Sequence, residues 1–205
     1  MFRINKPALI AGALAAISLV PAASAAPPAL GDLNPPPPDF YTCKPVGART
    51  ICTATLHESK VAEPQTELVC GEGASAFTIY DNGDVESRFT RRYNADGNLT
   101  SRVEHEVWTN SFWSNPLTGK VVTYTQRGTF FDELTVPGDF DSIVETIVGE
   151  NVYTDPATHK KVLRSVGRVV WGPDGLLAES GKHWDIDMFV FGDTSALDGV
   201  CAALS

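Results

Sequence analysis

Basic side chains are scarce in this 205-residue sequence. It has 16 lysines and arginines against 25 aspartates and glutamates, a formal net charge of −9. Nucleic-acid binding requires clustered lysines and arginines that displace counterions from phosphates, and an anionic membrane surface attracts the same positive charge. The charge balance therefore argues against both partners.

Familiar catalytic motifs are also missing. The sequence contains no Gly-x-Ser-x-Gly, no His-Glu-x-x-His, no phosphate loop and no dinucleotide fingerprint. We therefore assign no catalytic residue, no metal ligand and no cofactor. Enzymatic activity stays undecided, with a non-enzyme favoured.

No apolar run near the start of the chain is long enough to cross a membrane. The run from Ala8 to Val20 is shorter than a bilayer core of about 30 Å requires. It follows Arg3 and Lys6 and precedes a small-residue site at 23–25, the pattern of a secretory signal peptide. We expect residues 1–25 to be cleaved, which makes the mature protein secreted, extracellular and not inserted in a membrane.

The segment that follows the predicted cleavage site is rich in proline. Residues 26–39 contain six prolines and predict an extended, unpacked segment that is partly polyproline II. Residues 40–205 then form a single secreted β domain.

The sequence has few cysteines, and all of them follow the predicted signal peptide: Cys43, Cys52, Cys70 and Cys201. An even number in an exported chain favours disulfides over metal ligation. Gly47 suits the first position of a two-residue type II′ turn, and this turn places Cys43 opposite Cys52 at disulfide distance. Cys70 then pairs with Cys201.

Strand signals dominate the rest of the chain. β-branched or aromatic residues alternate with polar ones from residue 76 to residue 190, and no convincing amphipathic helix is present. The predicted strands are 50–56, 75–80, 84–94, 98–108, 120–131, 142–153, 160–172, 176–186 and 188–191. They predict an all-β, antiparallel up-and-down meander, closed into a barrel of about eight strands, with an N-terminal disulfide-clipped hairpin. A two-sheet sandwich is the second choice.

Two similar hairpins supply the candidate site residues. A loop at 94–98 and a turn at 173–175 set registers that place Ser87 opposite His105 and Ser165 opposite His183. In a closed barrel both pairs would face the interior, where the two histidines would bind a ligand or a metal, or would shuttle a proton. The alternative, which we favour, is that the histidines are core residues hydrogen-bonded to the serines.

Three further groups of residues give weaker indications of a functional site. Alternation along the strand sends Glu104 and Glu106 to the face opposite His105. A strand face with His183, Asp185 and Asp187 suggests a cation site, but a solvated strand end is favoured. Trp108, Phe112 and Trp113 predict a hydrophobic cap at the barrel rim, with contact to a sugar or a protein as the alternative.

Several segments resemble a family of small exported bacterial β-rich proteins of unknown function. The matching pieces are Cys70-Gly71, Tyr93–Leu99, Gly167–Val170, Gly181–His183 and Val200–Leu204. The resemblance covers roughly residues 68–205. It implies a β fold and supplies no catalytic residue.

These observations favour a secreted, disulfide-stabilised β-barrel that acts as a binding or interaction module, with a small apolar molecule as the candidate ligand. The first alternative is a barrel enzyme of the isomerase or cyclase type that uses an interior histidine. The second is a purely structural, envelope-associated protein with a filled core.

Overall fold

The computed structural model describes residues 27–205, so the predicted signal peptide lies outside the described residues. Eight strands form one antiparallel sheet in chain order. They are β1 (Thr42–Val46), β2 (Arg49–Cys70), β3 (Phe77–Tyr93), β4 (Leu99–Ser114), β5 (Val121–Leu134), β6 (Ile143–Asp155), β7 (Lys160–Gly172) and β8 (Gly175–Lys182). The predicted all-β antiparallel meander is confirmed.

Within the described chain β1 and β8 do not pair, so the sheet is open and barrel closure is not confirmed. An open sheet is compatible with the sandwich alternative.

Period-two alternation gives the sheet two different faces. In β3 the side chains of Phe77, Ile79, Asp81 and Val85 are buried at alternate positions, as expected for a strand with one covered face. We call the face that carries these residues the inner face and the opposite one the outer face.

Two hydrophobic clusters cover the ends of the inner face. The larger cluster joins one end of the sheet to helices α1 (Trp184–Phe189) and α2 (Asp198–Leu204). The smaller cluster contains Leu33, Cys52, Tyr93, Leu99 and Leu134. The middle of the inner face carries glycines and polar side chains together with apolar ones such as Phe130 and Val169.

Both predicted disulfides are present. Cys43 pairs with Cys52 across the β1–β2 hairpin, where Gly47 has a φ of 62° in the turn. Cys70 at the end of β2 is bonded to Cys201 on α2, across a sequence separation of 131. The second disulfide therefore fixes the C-terminal helices against the sheet.

The C-terminal region corrects the strand prediction. The alternation of apolar and polar residues predicts strands at 176–186 and 188–191, yet β8 ends at Lys182 and residues 184–189 form α1. α1 ends at Phe189, and the chain leaves it through Gly192, whose φ is 74° and whose N–H donates to the carbonyl of Met188 at 3.0 Å. The expectation that the chain lacks helices is therefore wrong. Among residues 27–205, none of the helices is long and apolar enough to cross a membrane.

The proline-rich segment is not entirely unpacked. Leu33 is buried, and Asn34 forms a parallel bridge to Asn98 in the β3–β4 loop. The Tyr93 hydroxyl donates to the carbonyl of Pro35 at 3.0 Å. Residues 33–35 therefore cover one end of the inner face.

Candidate functional site

A row of four glycines crosses the middle of the inner face. The row consists of directly opposite cross-strand partners: Gly128 on β5, Gly149 on β6, Gly167 on β7 and Gly181 on β8. A Cβ at Gly167 would lie 2.0 Å from the carbonyl oxygen of Ser180, and one at Gly181 would lie 2.1 Å from that of Val166. These two positions therefore have no space for a side chain, which explains why glycine is required there.

A cavity of about 190 Å³ lies along the glycine row. Its polar lining consists of Gln126, Arg127, Glu150, Asn151, Ser165, His183 and Asp185. Its apolar side is formed by Phe130, Ile147, Val169 and Trp171. The volume is below the range of about 300–1,000 Å³ that is usual for ligand sites, so this cavity alone suits only a very small occupant.

The structure places His105 on the outer face, not in the interior. The β3–β4 hairpin pairs as predicted at its first rung, but Thr100 adds one residue to β4 and displaces the partners of residues 101–109 by one. His105 therefore faces Arg88 instead of Ser87, and its Nδ1 lies 3.0 Å from the hydroxyl of Thr129. The predicted interior position of His105 is wrong because a one-residue bulge exchanges the two faces of a strand.

The same bulge turns Glu104 and Glu106 inward. Ser87 is half-buried on the inner face and is the cross-strand partner of Glu106. Burial raises the pKa of Glu106 to about 7, and the charge of Glu104 acts in the same direction. The indole N–H of Trp108 donates to Glu106 Oε1, and the Gln126 amide donates to the same oxygen at 3.5 Å.

Ser165 and His183 both line the small cavity. The β7–β8 register agrees with the prediction from Val166 to Val170, and it brings Ser165 to the end of β8. The Ser165 hydroxyl donates to the carbonyl of Lys182 at 3.1 Å, and His183 Nε2 lies 2.9 Å from the carbonyl of Ser180. These contacts fix the end of β8, and a ligand-binding role for Ser165 and His183 stays a prediction.

The possible cation site at the end of β8 is not formed as a strand face. His183 precedes α1, whereas Asp185 and Asp187 lie within it. Over residues 27–205, no group of three or more His, Cys, Asp or Glu side chains is arranged to hold a metal ion.

A larger cavity of about 390 Å³ lies at the helix-covered end of the sheet. Six aromatic side chains line it: Trp108, Trp113, Tyr124, Tyr153, Trp184 and Phe189. The ring centres of Trp113 and Tyr153 are 4.4 Å apart, and those of Tyr124 and Tyr153 are 5.1 Å apart. We call this space the aromatic cavity. Its volume is within the usual range for ligand sites.

An irregular part of β2 forms one wall of the aromatic cavity. Residues 63–68 line it, and the pairing of β2 with β3 shifts between Lys60 and Glu63 and again between Gln65 and Val69. Bulges of this kind redirect a strand and are common beside functional sites. Here the shifts move β2 out of regular pairing at the cavity.

Asp81 brings a buried carboxylate to the aromatic cavity. It is 7% exposed and accepts a hydrogen bond of 2.9 Å from the Tyr124 hydroxyl. Burial raises the pKa of Asp81, although the Tyr124 hydrogen bond and the charge of Lys60 oppose this effect. Burial and the Asp81 carboxylate also raise the pKa of Tyr124, and burial raises that of Tyr153. Both phenols therefore remain protonated at neutral pH.

Part of the aromatic cavity was missed by sequence reasoning. The sequence predicts a cap at the rim from Trp108, Phe112 and Trp113; the structure places Trp108 and Trp113 in the cavity wall, and Phe112 is not among the lining residues. Asp81 and Tyr124 were not identified. A signal for Asp81 exists in the sequence, because it continues the inward-facing series of Phe77 and Ile79 where an apolar residue is expected.

Comparison with protein-family models, with curated proteins and with solved structures finds no match to this chain. The candidate site therefore rests on its own geometry.

Proposed function

We propose that the protein is a binding module that holds a small molecule with a flat, largely apolar body in the aromatic cavity. The observation that carries the proposal is the set of six aromatic side chains around about 390 Å³ of space, with the buried Asp81 carboxylate among them. Ligand sites typically combine apolar and aromatic walls with a few polar groups that fix orientation. Aromatic side chains also provide large contact areas for flat molecules.

The proposal includes export from the cytosol. The two disulfides support it, because such bonds persist mainly in oxidising compartments. Membership in the family of small exported β-rich proteins, which the sequence resembles over residues 68–205, is part of the same proposal.

The two alternative functions have weaker support. The enzyme alternative requires an interior histidine. Of the two candidates, His105 and His183, His105 is exposed on the outer face, so His183 is left. A purely structural protein is expected to fill its interior with side chains. The open volume beside Trp113 and Tyr153 is better explained by an occupant.

A calorimetric titration with 2-phenylethanol, an uncharged aromatic probe, tests the proposal. We expect saturable binding with one site per chain. Trp108→Ala removes a ring from the cavity wall and should weaken binding about tenfold, as expected for the loss of one well-packed aromatic contact. Trp171→Ala is the matched control, because Trp171 does not line the aromatic cavity; it should leave the Kd unchanged within about twofold.

Failure of the intact protein to bind both 2-phenylethanol and its cationic analogue 2-phenylethylamine would contradict the proposal. Equal losses of affinity in both tryptophan variants would also contradict it, because the ligand would then not depend on the aromatic cavity. Near-ultraviolet circular dichroism of each variant checks that the aromatic packing of the rest of the protein is preserved.

A further inference from the structure

We infer that the ligand of the aromatic cavity is an organic cation, such as a primary amine or a quaternary ammonium compound, because aromatic rings and the buried carboxylate of Asp81, which forms no ion pair among residues 27–205, line the cavity together. This inference rests on the proposed binding function and specifies the class of ligand.

The charges that line the aromatic cavity have one sign. Glu63, Glu67 and Asp81 contribute carboxylates, whereas the described lining residues include no lysine, arginine or histidine. Glu63 is paired with Lys60, so an anionic ligand would meet the carboxylates of Glu67 and Asp81, which form no ion pair among the described residues, and this is unfavourable. A cationic ligand would meet complementary charges.

The Asp81 carboxylate lacks an ion-pair partner among residues 27–205. Its side-chain hydrogen bond comes from the neutral hydroxyl of Tyr124. The ammonium group of Lys60 instead forms an ion pair of 3.0 Å with Glu63. A buried carboxylate without a cation is costly, so a bound ammonium group would supply the missing positive charge.

The aromatic rings favour the same class of ligand. The electron-rich face of a tryptophan or tyrosine ring attracts ammonium groups, and several such rings together form the cages that bind quaternary amines. The protein already contains one such contact at this site, since Lys60 Nζ lies 5.3 Å from the ring centre of Trp108. The interior rings of Trp113, Tyr124 and Tyr153 make no comparable contact with a cation among the described residues.

One polar group in the cavity wall has an unused hydrogen-bonding capacity. Trp184 is 6% exposed, lines the aromatic cavity, and its indole N–H has no hydrogen-bond partner among the described residues. A ligand oxygen would satisfy this donor. Amines that also carry an ether, ester or hydroxyl oxygen therefore fit the cavity better than simple alkylamines.

A paired titration separates this inference from the proposed function. The two probes are 2-phenylethylamine, which is cationic at pH 7, and 2-phenylethanol, which has nearly the same shape and no charge. We expect the amine to bind at least about tenfold more tightly, because only the amine gains the ion pair and the cation–π contacts. Equal affinities would overturn the inference but leave the binding function intact. If neither probe binds, the proposed function itself fails.

Two substitutions with opposite expected effects complete the test. Asp81→Asn keeps the size of the side chain and an acceptor for Tyr124, and it should weaken amine binding about tenfold while changing alcohol binding less than about threefold. Lys60→Met removes a competing cation near the cavity and should strengthen amine binding. If both variants change amine and alcohol binding in parallel, the effect is structural and the inference is overturned. Thermal melting confirms that each variant is folded.

Discussion

Replacing Glu106 by glutamine should make the protein more stable at neutral and alkaline pH. Glu106 faces inward because of the bulge at Thr100, next to the Gly128 end of the glycine row. Its surroundings disfavour the charged form, since burial is the main cause of its raised pKa and the charge of Glu104 adds to it. Glutamine has nearly the same shape, can still accept from the Trp108 indole, and carries no charge.

The structure gives the size and the pH range of this effect. The pKa of Glu106 rises from 4.5 to about 7 on folding. A carboxyl group with a raised pKa contributes stability that is complete below pH 4.5 and is lost as the pH rises through about 7. The full difference corresponds to about 3 kcal/mol at 1.36 kcal/mol per pKa unit. Because Glu106 is only partly buried, solvent screening reduces the expected loss to about 1–2 kcal/mol.

Urea unfolding between pH 4.5 and pH 8.5 measures the effect. The free energy of unfolding of Glu106→Gln should exceed that of the original protein by about 1–2 kcal/mol at pH 8 and approach it near pH 4.5. Glu133→Gln, which changes an exposed carboxylate on β5, is the control and should leave the pH profile unchanged. Parallel profiles for Glu106→Gln and the original protein would refute the inward, desolvated position of Glu106.

Three further predictions concern stability. Replacing Cys70 and Cys201 by alanine should reduce the free energy of unfolding by up to about 5 kcal/mol in denaturant unfolding, since the disulfide spans a sequence separation of 131. Gly167→Ala should cost at least about 2 kcal/mol because its Cβ would lie 2.0 Å from a backbone oxygen, whereas Gly128→Ala, with 3.4 Å to the nearest atom, should cost under about 1 kcal/mol. His105→Ala should change the free energy of unfolding by less than about 0.5 kcal/mol, as expected for an exposed side chain. An unchanged melting temperature for Gly167→Ala, or a large drop for His105→Ala, would contradict these placements.

Most features that the sequence predicts correctly are local, and the long-range Cys70–Cys201 disulfide follows by elimination once Cys43 is paired with Cys52. The β1–β2 hairpin depends on a short turn at Gly47, and that turn alone fixes the Cys43–Cys52 pair. The bounds of β7 also match, because clear turn signals flank that strand on both sides.

The wrong predictions arise where a single residue changes the direction of the side chains that follow it in the strand. Nothing in the identity of Thr100 marks it as the extra residue of a bulge, yet it moves His105 outward and Glu106 inward. Similarly, Asn82-Gly83 has the composition of a turn but lies within the continuous strand β3, where a Cβ at Gly83 would lie 2.5 Å from the Ser111 hydroxyl.

The aromatic cavity could not be predicted from the sequence because it joins distant parts of the chain. Tyr124, Tyr153 and Trp184 lie on β5, β6 and α1, and only the folded sheet brings their rings together. The residues of α1 alternate between apolar and polar, which is the pattern of a strand, so the sequence does not indicate a helix there. The position of Trp184 is therefore a property of tertiary structure.

The indole N–H signals of the four tryptophans in a ¹⁵N-labelled sample test the central claim most directly. During titration with 2-phenylethylamine, the signals of Trp108, Trp113 and Trp184 should shift together and saturate, because these residues line the aromatic cavity. The signal of Trp171, which lies at the glycine-row cavity, should stay in place. Shifts at Trp171 alone, or no saturable shift at any tryptophan, would contradict ligand binding in the aromatic cavity.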